Sequence, residues 1–333
     1  SVCNPKSDKS TVMLGQASRI TSIAGLGGNR IVSGSEDGAV QIWDIDTRTS
    51  KFLTCSENEV DVIASVFVGN HRVLGFTERK RFWDTKRRRS EFFTGRAFLD
   101  HQEDPVRAVA TSDNGHLICS LYSNKLLVWR TASSECWIAE GMSAGYPKLF
   151  VLPDGRVVSS DWHKELRVWA QDGLTSIHLR GHRQPIMCAT AFDDGRLVSG
   201  CYDGDIWAWD TRTGERTIVM NGHEDAVTSL AALPDGRLVS AARDNTIRLW
   251  DDKGSEIRAF EGHTRAVTAL AVLNDRHVVS NPFYWGVTVW NVETGREVAG
   301  FLADDAISAI ATDGDLIAAG SQNGAVHFLE LKE

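Results

Sequence analysis

The chain has 333 residues, a formal net charge of −8, and 42% hydrophobic and 24% charged residues. That acidic balance argues against nucleic acid or an anionic membrane as partner of the body as a whole, and no run approaches the roughly 18 apolar residues of a spanning helix. Its six cysteines, Cys3, Cys55, Cys119, Cys136, Cys188 and Cys201, form no Cys-x-x-Cys and no close pair. This usage disfavours a zinc site and a disulfide framework and favours a reducing compartment.

The first ten residues, SVCNPKSDKS, are polar and lack an apolar core, so a tail and no secretory signal are expected there. A short run, TVMLG, follows at Thr11. Beyond it Trp43, Trp83, Trp129, Trp169, Trp209, Trp250 and Trp290 recur at intervals of 40, 46, 40, 40, 41 and 40 residues, and Leu329 takes the same place 39 residues later. Each closes an apolar run such as AVQIWDI, TIRLWDD or AVHFLEL. A sustained period near 40 signals a repeat architecture of one supersecondary unit per period. Within residues 215–251 the runs TIVMN, AVTSLAAL, RLVSAA and TIRLWD are separated by Gly-His, Pro-Asp-Gly and Arg-Asp-Asn turns. Short Val/Ile/Leu runs bounded by turn residues read as four strands, and no stretch carries helical periodicity with caps, so the chain is expected to be all-β.

Two periods share a fuller spacing: His182, Ser199, Asp203, Trp209 and His223, Ser240, Asp244, Trp250, with gaps of 17, 4 and 6 in both. These residues resemble the WD-repeat family of β-propellers, over almost everything from Thr11 to Leu331. The resemblance implies one propeller domain over 11–333, after a tail over 1–10; counting the strand triplets that lead to a tryptophan place gives eight four-stranded blades, with seven as the alternative if the second or last unit does not form. It implies that TVMLG completes the last blade beside AVHFLEL. It also implies that each His-Ser-Asp-Trp set forms a hydrogen-bonded chain inside its blade. Other periods keep the set in part: Gln16 stands for His in the first and Tyr284 for Asp in the seventh, and the second to fourth depart further.

Family propellers generally bind partners on the face bearing the Gly-His turns. The residue before the motif Asp is there Glu36, Thr77, Tyr122, Trp162, Tyr202, Arg243, Phe283 and Gln322 round the ring. A second position, five after His, is Thr21, Asp61, Arg107, Pro147, Met187, Thr228, Thr268 and Ser308. Tyr122, Trp162 and Tyr202 with Met187 form an aromatic arc flanked by Arg107 and Arg243, and Phe283, Tyr284 and Trp285 lie beyond it. Aromatics and arginine are enriched at binding hot spots. The expected ligand is a protein or peptide segment with an apolar anchor and an acidic or phosphorylated group, which the arginines would pair bidentately. Glu36 and Asp61 leave a methylated amine as a narrower variant.

Arg79, Lys80, Arg81, Lys86, Arg87, Arg88 and Arg89 crowd around Trp83 as a candidate anion patch. Phosphoinositide binding through them is the alternative, although Ser90 follows where that family has glycine. A channel enzyme is the third possibility, disfavoured because the chain has no Gly-x-Ser-x-Gly, His-Glu-x-x-His or phosphate loop. The expectation is a non-catalytic platform, monomeric or within a larger assembly, in cytoplasm or nucleus, without metal or cofactor.

Overall fold

The structure is a computed structural model. It describes residues 11–13, 18–25, 30–35, 40–44, 46–47, 49–52, 65–68, 72–75, 81–84, 89–92, 106–111, 116–121, 125–130, 136–139, 149–160, 164–170, 175–282 and 286–331, with the backbone alone over 65–121. Those residues form 32 strands, β1 to β32 in chain order, in eight antiparallel four-stranded sheets. The first four sheets lie within 20–52, 65–92, 106–139 and 149–180 and begin with β2 (Ile20–Gly25), β6 (Ser65–Val68), β10 (Val106–Thr111) and β14 (Leu149–Val151).

The fifth sheet runs β18 (Ile186–Ala191), β19 (Leu197–Cys201), β20 (Ile206–Trp209), β21 (Arg216–Met220). The sixth is β22 (Val227–Ala232), β23 (Leu238–Ala242), β24 (Ile247–Trp250), β25 (Glu256–Phe260). The seventh is β26 (Val267–Asn274), β27 (His277–Pro282), β28 (Gly286–Asn291), β29 (Glu297–Leu302). In the eighth, β30 (Ile307–Asp313), β31 (Leu316–Ser321) and β32 (Val326–Glu330) are joined by β1 (Thr11–Met13), whose Thr11 pairs with Phe328.

Strand alternation puts one apolar set of each sheet against the next. Leu249 and Phe260 of the sixth sheet pack with Val278 and Trp290 of the seventh. Val168 and Leu179 of the fourth pack with Leu197 and Trp209 of the fifth. Ile20, Ile31 and Trp43 of the first sheet share a core with Val326 and Phe328 of the last. A sheet buried on both faces needs apolar residues at nearly every position, and β19 and β23 are buried throughout.

The first strand of most sheets carries a bulge. Register shifts between Ile186 and Cys188, Val227 and Ser229, Val267 and Ala269, and Ile307 and Ala309 leave Met187, Thr228, Thr268 and Ser308 out of the ladder. A bulge re-aims the unpaired side chain. Here the freed hydroxyls are occupied by neighbouring backbone. Thr228 Oγ1 shares its hydrogen between Ala241 O (3.0 Å) and Val267 O of the next sheet (2.5 Å). Ser308 Oγ does the same with Gly320 O (3.1 Å) and Ile20 O (2.5 Å). Thr228 and Ser308 thereby stitch neighbouring sheets together, and their hydroxyls are not free for a ligand, whereas Thr268 Oγ1 donates to Asn281 O of its own sheet (3.0 Å).

Candidate partner-binding face

The sixth sheet builds the full polar chain. Trp250 Nε1 donates to Ser240 Oγ at 2.8 Å, Ser240 Oγ lies 2.7 Å from His223 Nε2, and His223 Nδ1 lies 2.8 Å from Asp244 Oδ2. A carboxylate only accepts, so Nδ1 carries the imidazole proton and Nε2 accepts from the serine hydroxyl. Asp244 also accepts from the Glu224 and Thr246 amides (3.1 and 2.9 Å) and from Thr246 Oγ1 (2.8 Å). Burial pushes its carboxyl up, but the hydrogen bonds from His223 and Thr246 outweigh this and hold it well below the usual carboxylate range.

The fifth sheet has the same four residue types at the same spacing, yet the chain expected there stops short. Trp209 Nε1 donates to Ser199 Oγ (2.8 Å), which lies 2.7 Å from His182 Nε2, but His182 Nδ1 has no hydrogen-bond partner. Asp203 is instead exposed. The cause is local. Where the sixth sheet has Thr246 to donate to its aspartate, the fifth has Asp205, which repels Asp203 and is itself raised, by burial first and by Asp203 second. Trp207 stacks on His182 with ring centroids 4.2 Å apart and planes at 17°, and Arg216 lies 4.4 Å over Trp207. Burial lowers His182 to about 4 despite the pull of Asp203, so its ring is neutral. The neighbouring Cys201 thiol donates to Gln184 O at 3.1 Å, and burial followed by its hydrogen bond to Asp203 pushes it to about 12. Cys188 and Cys201 are both buried thiols outside any disulfide.

Shorter versions occur elsewhere. His263 and Trp290 both meet Ser280 Oγ at 2.8 Å, and burial lowers His263 to about 4. Trp43 donates to Ser33 (2.7 Å) and Trp169 to Ser159 (2.8 Å).

On the face above these chains, Tyr202 is 46% exposed. Its amide donates to Pro185 O (3.0 Å), and the Arg243 amide donates to Ala226 O (2.9 Å), so each turn between second and third strands is pinned to the turn that opens its own sheet. The Arg243 guanidinium carbon lies 5.5 Å from the Tyr202 ring centre, a cation–π distance. The two turns touch because Gly204, at φ 90°, has no side chain: a Cβ there would meet His223 O at 2.4 Å. Four carboxylates surround this junction: Asp203, Glu224 and Asp225 are exposed and Asp205 is half-buried.

Of the expected site residues the structure therefore brings together Tyr202 and Arg243, with Met187 half-buried at the bulge of β18. Arg107 occupies the matching bulge of β10, where the backbone alone is described. Arg81 and Arg89 lie on strands 81–84 and 89–92, likewise as backbone. Glu36, Asp61, Tyr122, Trp162, Phe283, Tyr284, Trp285, Arg79, Lys80, Lys86, Arg87 and Arg88 lie outside the described residues. Sequence inspection did not single out Trp207, although strand alternation puts it on the same side as Trp209. Nor did it single out the acids at the junction, which read as ordinary turn residues.

Among the described residues, no group of His, Cys, Asp and Glu is arranged to hold a metal ion. The family model of the WD domain, G-beta repeat, matches residues 9–44, 174–210 and 214–251. The ribosome biogenesis protein YTM1 of Vanderwaltozyma polyspora is 27% identical over 135 residues, which is 35% of this chain and 30% of that protein. The match thus spans less than a third of the relative's length. Among solved structures, the computationally designed Ika8 protein has a TM-score of 0.80 at 26% identity, covering 95% of this chain and 98% of its own. The WD40 β-propeller domain of Doa1 has a TM-score of 0.65 at 19% identity, covering 97% and 96%. With the repeat, the Trp-Ser-His chains and these likenesses in agreement, the chain carries WD repeats over the matched residues and has the fold of the WD40 β-propellers.

Proposed function

We propose that this chain is a non-catalytic protein-interaction platform that holds a protein or peptide segment on the face bearing the Gly-His turns. The observation that carries it is Tyr202, an exposed aromatic ring with the Arg243 guanidinium over it, at the junction of two pinned turns. Rigid, exposed aromatic and arginine side chains are what interface hot spots are made of. The segment brings an apolar anchor for the arc that Tyr202 shares with Met187, Tyr122 and Trp162, and an acidic or phosphorylated group for Arg107 and Arg243.

The platform is a single domain over 11–333 shaped as a ring of eight blades closed through β1. Support comes from the eight sheets, the pairing of β1 with β32, and the core shared by the first and last sheets. Closure of this kind leaves no repeat without a neighbour to cover its apolar face. The relative's name, a ribosome biogenesis protein, supports a role in assembling other proteins within the cell, in nucleus or cytoplasm.

Affinity capture from a native lysate, comparing the parent with a Tyr202→Ala, Arg243→Glu double variant, tests this. A protein lost only with the variant supports the platform. Identical capture by both proteins rejects this face as the site.

A further inference from the structure

The junction between the fifth and sixth sheets points to one element of partner chemistry that the aromatic arc alone does not. Asp203 and Asp244 hold the same place in their repeats, six residues before the tryptophan. Asp244 is wholly occupied inside its sheet by His223, Thr246 and the Glu224 amide. Asp203 is not: it is exposed, while the ring of His182, 5% exposed, keeps an unpartnered Nδ1 aimed by register at the Asp203 turn. The fold gives up a buried hydrogen bond here, and the carboxylate that would make it stands on the surface instead.

That surface carboxylate has company. Gly204 presses the Asp203 turn onto the His223 turn, bringing Asp203 and Asp205 beside Glu224 and Asp225. The cations on these same turns are Arg183 and Arg243, and Arg216 of β21 also acts on Asp205, so four carboxylates face three guanidiniums. The Tyr202 ring at the centre already seats one guanidinium, that of Arg243, at 5.5 Å. A second cation arriving there finds an aromatic wall and more carboxylates than cations, the two features that hold ammonium and guanidinium groups.

We infer that Asp203, Asp205, Glu224 and Asp225 form an acidic rim around Tyr202 that receives a lysine or arginine side chain of the bound protein segment. This rests on the platform proposed above and narrows its partner to a segment with a basic residue beside its apolar anchor.

The test uses a fluorescein-labelled octa-arginine peptide, with octa-glutamate as control, and anisotropy titrations at about 0.1 M salt, where long-range attraction is largely screened. The Asp203→Asn, Glu224→Gln, Asp225→Asn variant is compared with Asp193→Asn, Asp252→Asn, Asp275→Asn, which removes the same charge from exposed turns on the opposite face. The rim variant is expected to weaken octa-arginine binding about tenfold and the control less than about twofold. Equal losses in the two variants, or no loss in either, would overturn the acidic rim. Melting midpoints of both variants check that they fold. If lysate capture depends on Tyr202 but octa-arginine binding ignores the rim, the rim fails and the platform stands. If octa-arginine binding needs the rim but no captured protein depends on Tyr202, the platform fails and the cation site stands.

Discussion

The Arg156 guanidinium donates to both Thr211 O (2.7 Å) and Thr211 Oγ1 (2.6 Å), tying the Pro-Asp-Gly-Arg turn of the fourth sheet to the last turn of the fifth. Asp154 holds that guanidinium from behind at 2.7 Å. The device repeats: Arg196 reaches Asp252 O (3.2 Å) and Arg237 reaches Glu293 Oε1 (2.6 Å), each 56 residues on. Arg156→Ala is expected to cost about 1–2 kcal/mol in urea unfolding, because its acceptors lie on a buried threonine. Arg237→Ala should cost less than about 1 kcal/mol and vary with salt, since Glu293 is 62% exposed. Equal costs for the two would show that the buried acceptors do not matter.

Asp244 and Asp203 give a sharper comparison. Asp244→Ala leaves His223 Nδ1 without its acceptor and should destabilise by about 1–3 kcal/mol, whereas Asp203→Ala should change stability by less than about 0.5 kcal/mol. Trp250→Ala should remove about 3–5 kcal/mol, as for any fully buried aromatic. If Asp203→Ala proved as costly as Asp244→Ala in thermal melts, the exposed placement of Asp203 would be wrong.

Acid should weaken the protein through its buried histidines, among which burial also lowers His327. Burial lowers His182 and His263 from 6.5 to about 4, so between those values the folded imidazoles are neutral while the unfolded ones bind protons. The unfolded state binds more protons there, so their contribution is present above about pH 6.5 and is lost as pH falls towards 4, by about 2–3 kcal/mol each. Asp244 acts elsewhere: its lowered carboxyl contributes above the ordinary aspartate range and loses this only below it. Urea midpoints at pH 7, 6 and 5 should fall steadily, and His263→Asn should flatten the trend. A midpoint independent of pH in this range would exclude neutral burial of both rings.

Gly204 and Gly195 separate backbone strain from lack of space. Both have positive φ, 90° and 86°, yet a Cβ at Gly195 meets nothing within 4 Å, whereas at Gly204 it strikes His223 O. Gly195→Ala should cost about 1 kcal/mol, and Gly204→Ala clearly more, with weakened octa-arginine binding as the two turns part. Matching costs in equilibrium unfolding would argue against the close approach of these turns.

Removing residues 1–13 should expose the edge of β32 and lower the melting midpoint by several degrees if β1 closes the ring, since Thr11, Val12 and Met13 supply all of its ladder to β32. A truncated chain as stable as the parent would place the closure elsewhere.

Much of this molecule is legible in its residues alone. Apolar runs with Gly, Asp and Pro between them dictate strands and turns, and the recurring tryptophan dictates repeats, because alternation and turn geometry are properties of a few adjacent residues. At that spacing Trp250, Ser240, His223 and Asp244 are joined in one hydrogen-bonded chain. The spacing cannot distinguish them from Trp209, Ser199, His182 and Asp203, whose last link is missing because Asp205 and Trp207 stand where Thr246 and Arg248 do. Tyr202 and Arg243 are placed on one face by register, but that a guanidinium sits over the ring, and that four carboxylates meet there, follows only from two turns pressed together across a sheet boundary. Sequence determined what each repeat is; the packing of one repeat on the next decided which of its polar groups are used inside and which are left for a partner, because that depends on donors and free space some 20–56 residues away.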